Sequence, residues 1–263
     1  MKKIIALALL FSVGLFAQKL TIQGSTTVLP IAQAAAEAYM DNNPDADITV
    51  RGGGSGTGIA ALIDGATDIA DASRPMKDKE VKTAREKGVS PVAHIVARDG
   101  IAVVVHPDNP IDAITIESIK AIYTGEISRW DDMGGKGSIV VVSRDAASGT
   151  FEAFNELALH KAKLTDEALM LASNLEIART VAQTPGAIGY IGLGYLTDNV
   201  KALTVEGIMP SEKTVNDDSY PLARPLFMYT NGDPKGLAKG LIDFIMSGPG
   251  QEIVKEAGFV PVK

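Results

Sequence analysis

The sequence predicts an α/β protein with mainly parallel sheets. Three observations carry this: short β-rich runs alternate with amphipathic helical patterns, the loops between them are short, and two long extended segments interrupt the alternation. The expected strands are Leu20–Gln23, Ile48–Arg51, Asp68–Ala70, His94–Ala97, Ile101–His106, Ile139–Ser143, Ile188–Ile191 and Leu226–Tyr229. Helical periodicity places amphipathic segments near Ile31–Met40, Lys77–Glu86, Ile116–Tyr123, Phe151–His160 and Asn174–Gln183, with Leu237–Met246 and Gln251–Glu256 closing the chain. The extended segments are His94–Pro107, broken only by Arg98, Asp99 and Gly100, and Tyr220–Tyr229, which holds Pro221 and Pro225. Two such crossings let a chain leave a first lobe, build a second, and return. No low-complexity stretch, charge block or fixed-period repeat is present.

The composition bounds what such a chain does. Its 263 residues are 46% hydrophobic and 22% charged, which is globular and long enough to bury a core without staples. Cysteine is absent, which removes disulfides, thiolate metal sites, a cysteine nucleophile and a lipidated cysteine. Lys2 and Lys3 precede an uncharged run from Ile4 to Ala17, too short for a typical spanning helix and of the length of a signal-peptide core. Residues 1–17 are therefore expected to be a signal peptide, leaving Gln18 first in an exported, soluble protein. Loss of Lys2 and Lys3 takes the formal net charge from −7 to −9. An acidic chain with no basic run is a poor partner for nucleic acid or anionic membranes. A small anion is not excluded, because a buried site answers to nearby dipoles and cations.

Three glycine- and hydroxyl-rich turns stand at strand-to-helix junctions: Gly24-Ser25-Thr26-Thr27, Gly52–Gly58 with Ser55 and Thr57, and Arg144-Asp145-Ala146-Ala147-Ser148-Gly149-Thr150. A helix start carries unpaired N–H groups and partial positive charge, so an anion rests there favourably. Glycine lets the backbone approach it. Taken singly, each Ser or Thr reads as a helix N-cap and the glycine run as a flexible loop. Three turns in one chain, one with an arginine four residues before its serine, point instead to an oxyanion cradle. The forked donors of Arg144 suit a ligand with several oxygens; its plainer role is a salt bridge to Asp145 or another acid. The P-loop, dinucleotide and nucleophile-elbow patterns are all missing. His94, His106 and His160 lie far apart and read as structural or surface residues rather than metal ligands. Asp131-Asp132 and Asp217-Asp218 read as solvated loop acids.

At these turns the sequence resembles the PstS-type phosphate-binding proteins of bacterial ABC transporters. The matching stretches are Gly24–Pro30, Gly53–Gly58, Asp68–Pro75, Ile122–Ile127 with Trp130, Arg144-Asp145 with Ser148–Glu152, Gly186–Tyr190 and Tyr220–Leu226, in family order along nearly the whole mature chain. The resemblance implies the two-lobe periplasmic-binding-protein fold of type II. Lobe one would be 18–97 plus 224–263 and lobe two 98–223, with the ligand in the cleft between them. It also implies phosphate contacts at Thr26, Thr27, Ser55, Arg144, Ser148, Gly149 and Thr150. The family's proton-accepting aspartate falls near Ser73, where no carboxylate stands. Ser73 becomes an expected contact and Arg74 a second cation, and Asp145, Asp71 and Glu152 become candidate acceptors, Asp145 foremost.

The expected function is reversible phosphate capture and delivery to permease subunits, by a monomer with no cofactor or metal. Sulfate, molybdate or tungstate on the same fold is the nearest alternative. Phosphoester hydrolysis is the alternative from another class, and it lacks a visible metal cluster or activated nucleophile.

Overall fold

The structure is a computed structural model and describes residues 18–262; the signal peptide expected over residues 1–17 lies outside the described residues. The first elements are β1 (Gln18–Gly24), α1 (Leu29–Asn42), β2 (Ala46–Arg51), α2 (Ser55–Ile63), β3 (Ile69–Ala72) and α3 (Asp78–Glu86). They lead to β4 (Pro91–Val105), β5 (Ala113–Ile114), α4 (Ile116–Thr124), β6 (Val140–Arg144), α5 (Gly149–Leu157) and β7 (Leu169–Leu171). The chain then forms α6 (Asn174–Gln183), β8 (Ala187–Gly192), β9 (Lys201–Ala202), β10 (Thr204–Val205) and α7 (Glu212–Asn216). It ends with β11 (Ala223–Asn231), α8 (Gly236–Ile245) and α9 (Gly248–Glu256).

The strands lie side by side in the order β2-β1-β3-β11-β4-β8-β6-β7, with β9 also on β4. Pairing is parallel at β1–β2, β1–β3, β6–β7 and β6–β8. It is antiparallel where β11 meets β3 and β4 and where β4 meets β8. Strand β4 links the two lobes: its residues from Pro91 to Gly100 pair with β11, and from Ile101 to Val105 with β8. Each lobe buries its sheet on both faces, which suits continuous apolar strands better than alternating ones. In the first, Leu20, Ile22, Ile69 and Met228 pack on α1 and α8, while Ala70, Ala72 and Phe227 pack on α2. In the second, Val103, Ile188 and Tyr190 face α4 and α5, and Val104, Val142 and Ile191 face α6.

Three departures from the sequence reading have physical causes. Arg98-Asp99-Gly100 does not break the strand. Asp99 is fully buried there and ion-paired at 2.8 Å with Arg224, its register partner on β11. A helix absent from the expected set grows out of the glycine run, since α2 starts at Ser55 and holds Gly56 and Gly58 inside it. Glycine costs about 1 kcal/mol in a helix, and packing overrides it: a Cβ on Gly58 would stand 2.3 Å from the Gln23 carbonyl oxygen. The helix expected to His160 ends at Leu157, because the chain turns through left-handed His160 and Lys161 (φ 51° and 64°).

Candidate functional site

In the first and third strand-to-helix turns a serine takes the backbone N–H groups and leaves the neighbouring threonine hydroxyls free. After β1, Ser25 Oγ accepts the N–H groups of Thr27 (3.1 Å) and Val28 (3.4 Å), so the side chains of Thr26 and Thr27 are released from that task. Gly24 makes the turn with φ +149°; any Cβ there would sit 2.1 Å from the Asp71 carbonyl oxygen, which itself accepts the Ser25 N–H at 2.8 Å. Before α5, Ser148 is the plain N-cap, its Oγ accepting the Phe151 N–H at 3.2 Å. Gly149 and Thr150 follow as the first two helical residues, whose N–H groups have no partner within the helix. Ser55, first in α2, accepts the Ser73 N–H at 3.0 Å, which joins the second turn to the end of β3.

The lobes meet over these turns. Ala147 O accepts the Gly56 N–H at 2.9 Å, and Thr27 Oγ1 lies 2.9 Å from Thr150 Oγ1. Arg144 Nη2 donates to Thr26 Oγ1 at 3.1 Å, and the Tyr195 hydroxyl to Thr26 O at 2.5 Å. Thr26, Thr27, Ser55, Ser73, Arg144, Ser148 and Thr150 are all buried. Except for Ser148, they and Gly149 are drawn into this one cluster of cross-lobe contacts. The structure is therefore the closed arrangement.

The electrostatics single out two groups. Arg144 is 1% exposed; its Nε and Nη2 are held by the carbonyls of Leu171 (3.2 Å) and Ala172 (2.8 Å), and its Nη1 has no partner. Burial lowers its pKa, and the guanidinium remains charged because arginine does not deprotonate in proteins. Asp71, on β3 two residues before Ser73, is equally buried, and both its carboxylate oxygens lack partners. Burial alone pushes its pKa well above the ordinary aspartate range.

The other carboxylates proposed from sequence are occupied. Asp145 Oδ1 accepts the Ala147 N–H at 2.9 Å, closing its own turn, so the acceptor placed foremost has a structural task. Arg74, expected as a second cation for the ligand, grips Glu80 with both Nη groups at 2.8 Å and the Pro75 carbonyl at 2.8 Å. Its Nε lies 2.6 Å from Glu152 Oε2, in ion-pair contact though out of line for a hydrogen bond, and Lys77 Nζ reaches the same oxygen at 2.8 Å. Glu152 is on α5 and Arg74 and Lys77 lie between β3 and α3, so this network bridges the lobes. The second guanidinium in the cluster is Arg224. It is held by Asp99, donates to Ser73 O at 3.0 Å, and reaches Thr150 Oγ1 at 3.1 Å. Arg224 belongs to a stretch singled out by resemblance, yet nothing local marks it. Asn174 reads in sequence as a plain helix start, yet its Nδ2 donates to Thr26 and Thr27 across the cleft.

Two α/β lobes joined through β4 and β11, with a buried polar cluster between them, define the two-lobe binding-protein fold. Residues 16–249 match the PBP superfamily domain. The chain is 39% identical over 246 residues to the phosphate-binding protein PstS of Bacillus subtilis, covering 92% of this chain and 80% of that one. A crystal structure of a putative phosphate ABC transporter substrate-binding protein with bound phosphate, from Clostridium perfringens, superposes with a TM-score of 0.87 at 36% identity, over 94% of this chain and all of that one. An ABC-type phosphate transport receptor from Vibrio cholerae superposes at 0.76 with 31% identity, over 92% and 99%. The chain belongs to the PBP superfamily and, within it, to the PstS phosphate-binding proteins.

Proposed function

We propose that this protein is exported, captures inorganic phosphate between its lobes without chemistry, and delivers it to the permease of an ABC transporter. The observation that carries the reading is the unpartnered Nη1 of buried Arg144, whose Nη2 donates to Thr26 Oγ1 within a cluster of buried hydroxyls between the lobes. A buried guanidinium donor without a partner is costly, and an oxyanion satisfies it. Both lobes contribute groups, so the anion stabilises the closed form by its differential affinity for it. Thr26, Thr27, Ser55, Ser73, Arg144, Ser148, Gly149 and Thr150 are assigned to the cradle, and Arg74 is not.

Asp71 is assigned as the acceptor of the ligand's proton, in place of Asp145 and Glu152. It is the carboxylate that is fully buried without a hydrogen-bond partner among the described residues. Once ionised, such a group accepts the proton that phosphate carries near neutrality. Sulfate, molybdate and tungstate dianions carry none and would set two bare oxyanions face to face. None of the histidines hydrogen-bonds a cradle hydroxyl among the described residues, which disfavours a serine-nucleophile hydrolase: His94 bonds Thr230, and His106 accepts the Asp108 N–H. Calorimetric titration of ligand-stripped protein with phosphate, arsenate, sulfate and molybdate tests the reading. Phosphate should bind far more tightly than sulfate or molybdate; sulfate or molybdate binding as tightly would overturn it.

A further inference from the structure

The hydroxyls between the lobes form a chain, and counting protons fixes its direction at Thr26. The Gly192 N–H donates to Asn174 Oδ1 at 3.2 Å. A backbone amide can only donate, so this oxygen is the acceptor end and Nδ2 the donor end. Nδ2 supplies one proton to Thr26 Oγ1 at 3.3 Å and one to Thr27 Oγ1 at 3.0 Å. Thr26 also receives Arg144 Nη2 at 3.1 Å. A hydroxyl has two lone pairs and one proton. Both lone pairs of Thr26 are taken by groups that can only donate, so its own proton must be given away. Arg224 Nη2 has two protons: one goes to Asp99 Oδ2 and the other is shared between Thr150 Oγ1 at 3.1 Å and Thr27 Oγ1 at 3.4 Å, so the 2.9 Å contact between these two threonines runs in either direction.

Asn174, which with Arg144 sets this direction, has no donor left for a ligand, because both its amide protons are spent. It is buried and acts on the ligand through Thr26.

We propose that Asn174 is a positioning residue that, together with Arg144, locks Thr26 as an obligate donor, so that the site selects the phosphate form presenting a bare oxygen to it. The inference rests on the phosphate reading above. A ligand with one proton turns it to an acceptor elsewhere in the site. A second proton, as in dihydrogen phosphate, meets another proton at Thr26.

The test compares phosphate affinity of the parent and Asn174→Leu at about pH 8.5 and about pH 6, either side of the near-neutral titration of phosphate. Without the Asn174 donor, Thr26 Oγ1 receives Arg144 alone and has a lone pair to offer, which dihydrogen phosphate can use. The variant should bind about tenfold more weakly at the higher pH, the worth of roughly one hydrogen bond, and close most of that gap at the lower. The charged and titratable groups around the chain are Arg144, Arg224, Asp99, Asp71, Asp145, Tyr190 and Tyr195. All are common to both proteins, so their titration cancels in the ratio. An equal loss at both pH values, or no loss, overturns the lock. A parent that binds no phosphate at either pH refutes the functional reading instead. Should Asn174→Leu fail to fold, Asn174→Asp keeps the size and the Gly192 bond but draws the protons of Thr26 and Thr27 to itself. Its phosphate affinity should fall more than about a hundredfold, and parent-like affinity would overturn the inference.

Discussion

Adding one methyl group at Gly149 separates closure of the lobes from their folding. A Cβ at this position would lie 2.3 Å from Ser55 Oγ, 2.8 Å from Ser55 Cβ and 2.8 Å from Ser73 Oγ. Those serines belong to the first lobe and Gly149 to the second, so the clash exists only when the lobes meet. Non-bonded heavy atoms settle at about 3.5 Å, so the cradle must open by roughly 1 Å. Ser55 has no easy escape, because its Oγ holds the buried Ser73 N–H. Overpacking of this kind costs about 1–3 kcal/mol. Borne by the closed form alone, that weakens phosphate binding by roughly fivefold to a little over a hundredfold. Alanine is meanwhile the better helix former by up to about 1 kcal/mol, so the ligand-free protein should melt at the parent temperature or slightly above. Titration calorimetry with phosphate, alongside thermal melts with and without it, reads both quantities. Parent-like affinity in Gly149→Ala would refute the reasoning, as would a marked drop in ligand-free melting temperature.

Two further substitutions address charge. Burial raises the folded-state pKa of Asp71 above its unfolded value near about 3.9. Its contribution to stability is thus full below the unfolded pKa and is lost as pH rises through the raised one. Ligand-free Asp71→Asn should accordingly melt with the parent at acid pH and above it at pH about 8, while binding phosphate less tightly and discriminating less against sulfate. A variant with an unchanged sulfate gap would remove Asp71 as the acceptor. Glu152→Gln breaks the interlobe contacts with Arg74 and Lys77 but leaves Arg74 on Glu80, so no buried cation is orphaned. With Glu152 18% exposed and Lys77 43%, screening holds the loss to about 1 kcal/mol, roughly a fivefold faster phosphate release at low salt that shrinks as salt is added. Stopped-flow dissociation rates unchanged at low salt would show that this network does not hold the lobes together.

The sequence by itself determined the α/β class, most element positions and the three turns, because these depend on local periodicity and on residues adjacent in the chain. Gly24, Ser25 and Ser148 show why that worked: each does its task within three residues or at the strand alongside. The outcome at Arg74 and Arg224 shows where it stopped. Both are arginines in stretches singled out by resemblance; Glu80, six residues on, draws Arg74 away, and Asp99, 125 residues distant, sets Arg224 beneath the hydroxyls of Thr27 and Thr150. Asp145, beside Arg144 in sequence, closes its own turn, whereas Asp71 is left unpartnered under the first turn. Asn174 bonds threonines more than 140 residues away. Only the tertiary structure decides these matters. A hydrogen bond has a direction and a fixed number of protons, and its partners across a cleft are set by how two lobes fold and close, which no local pattern of residue types encodes.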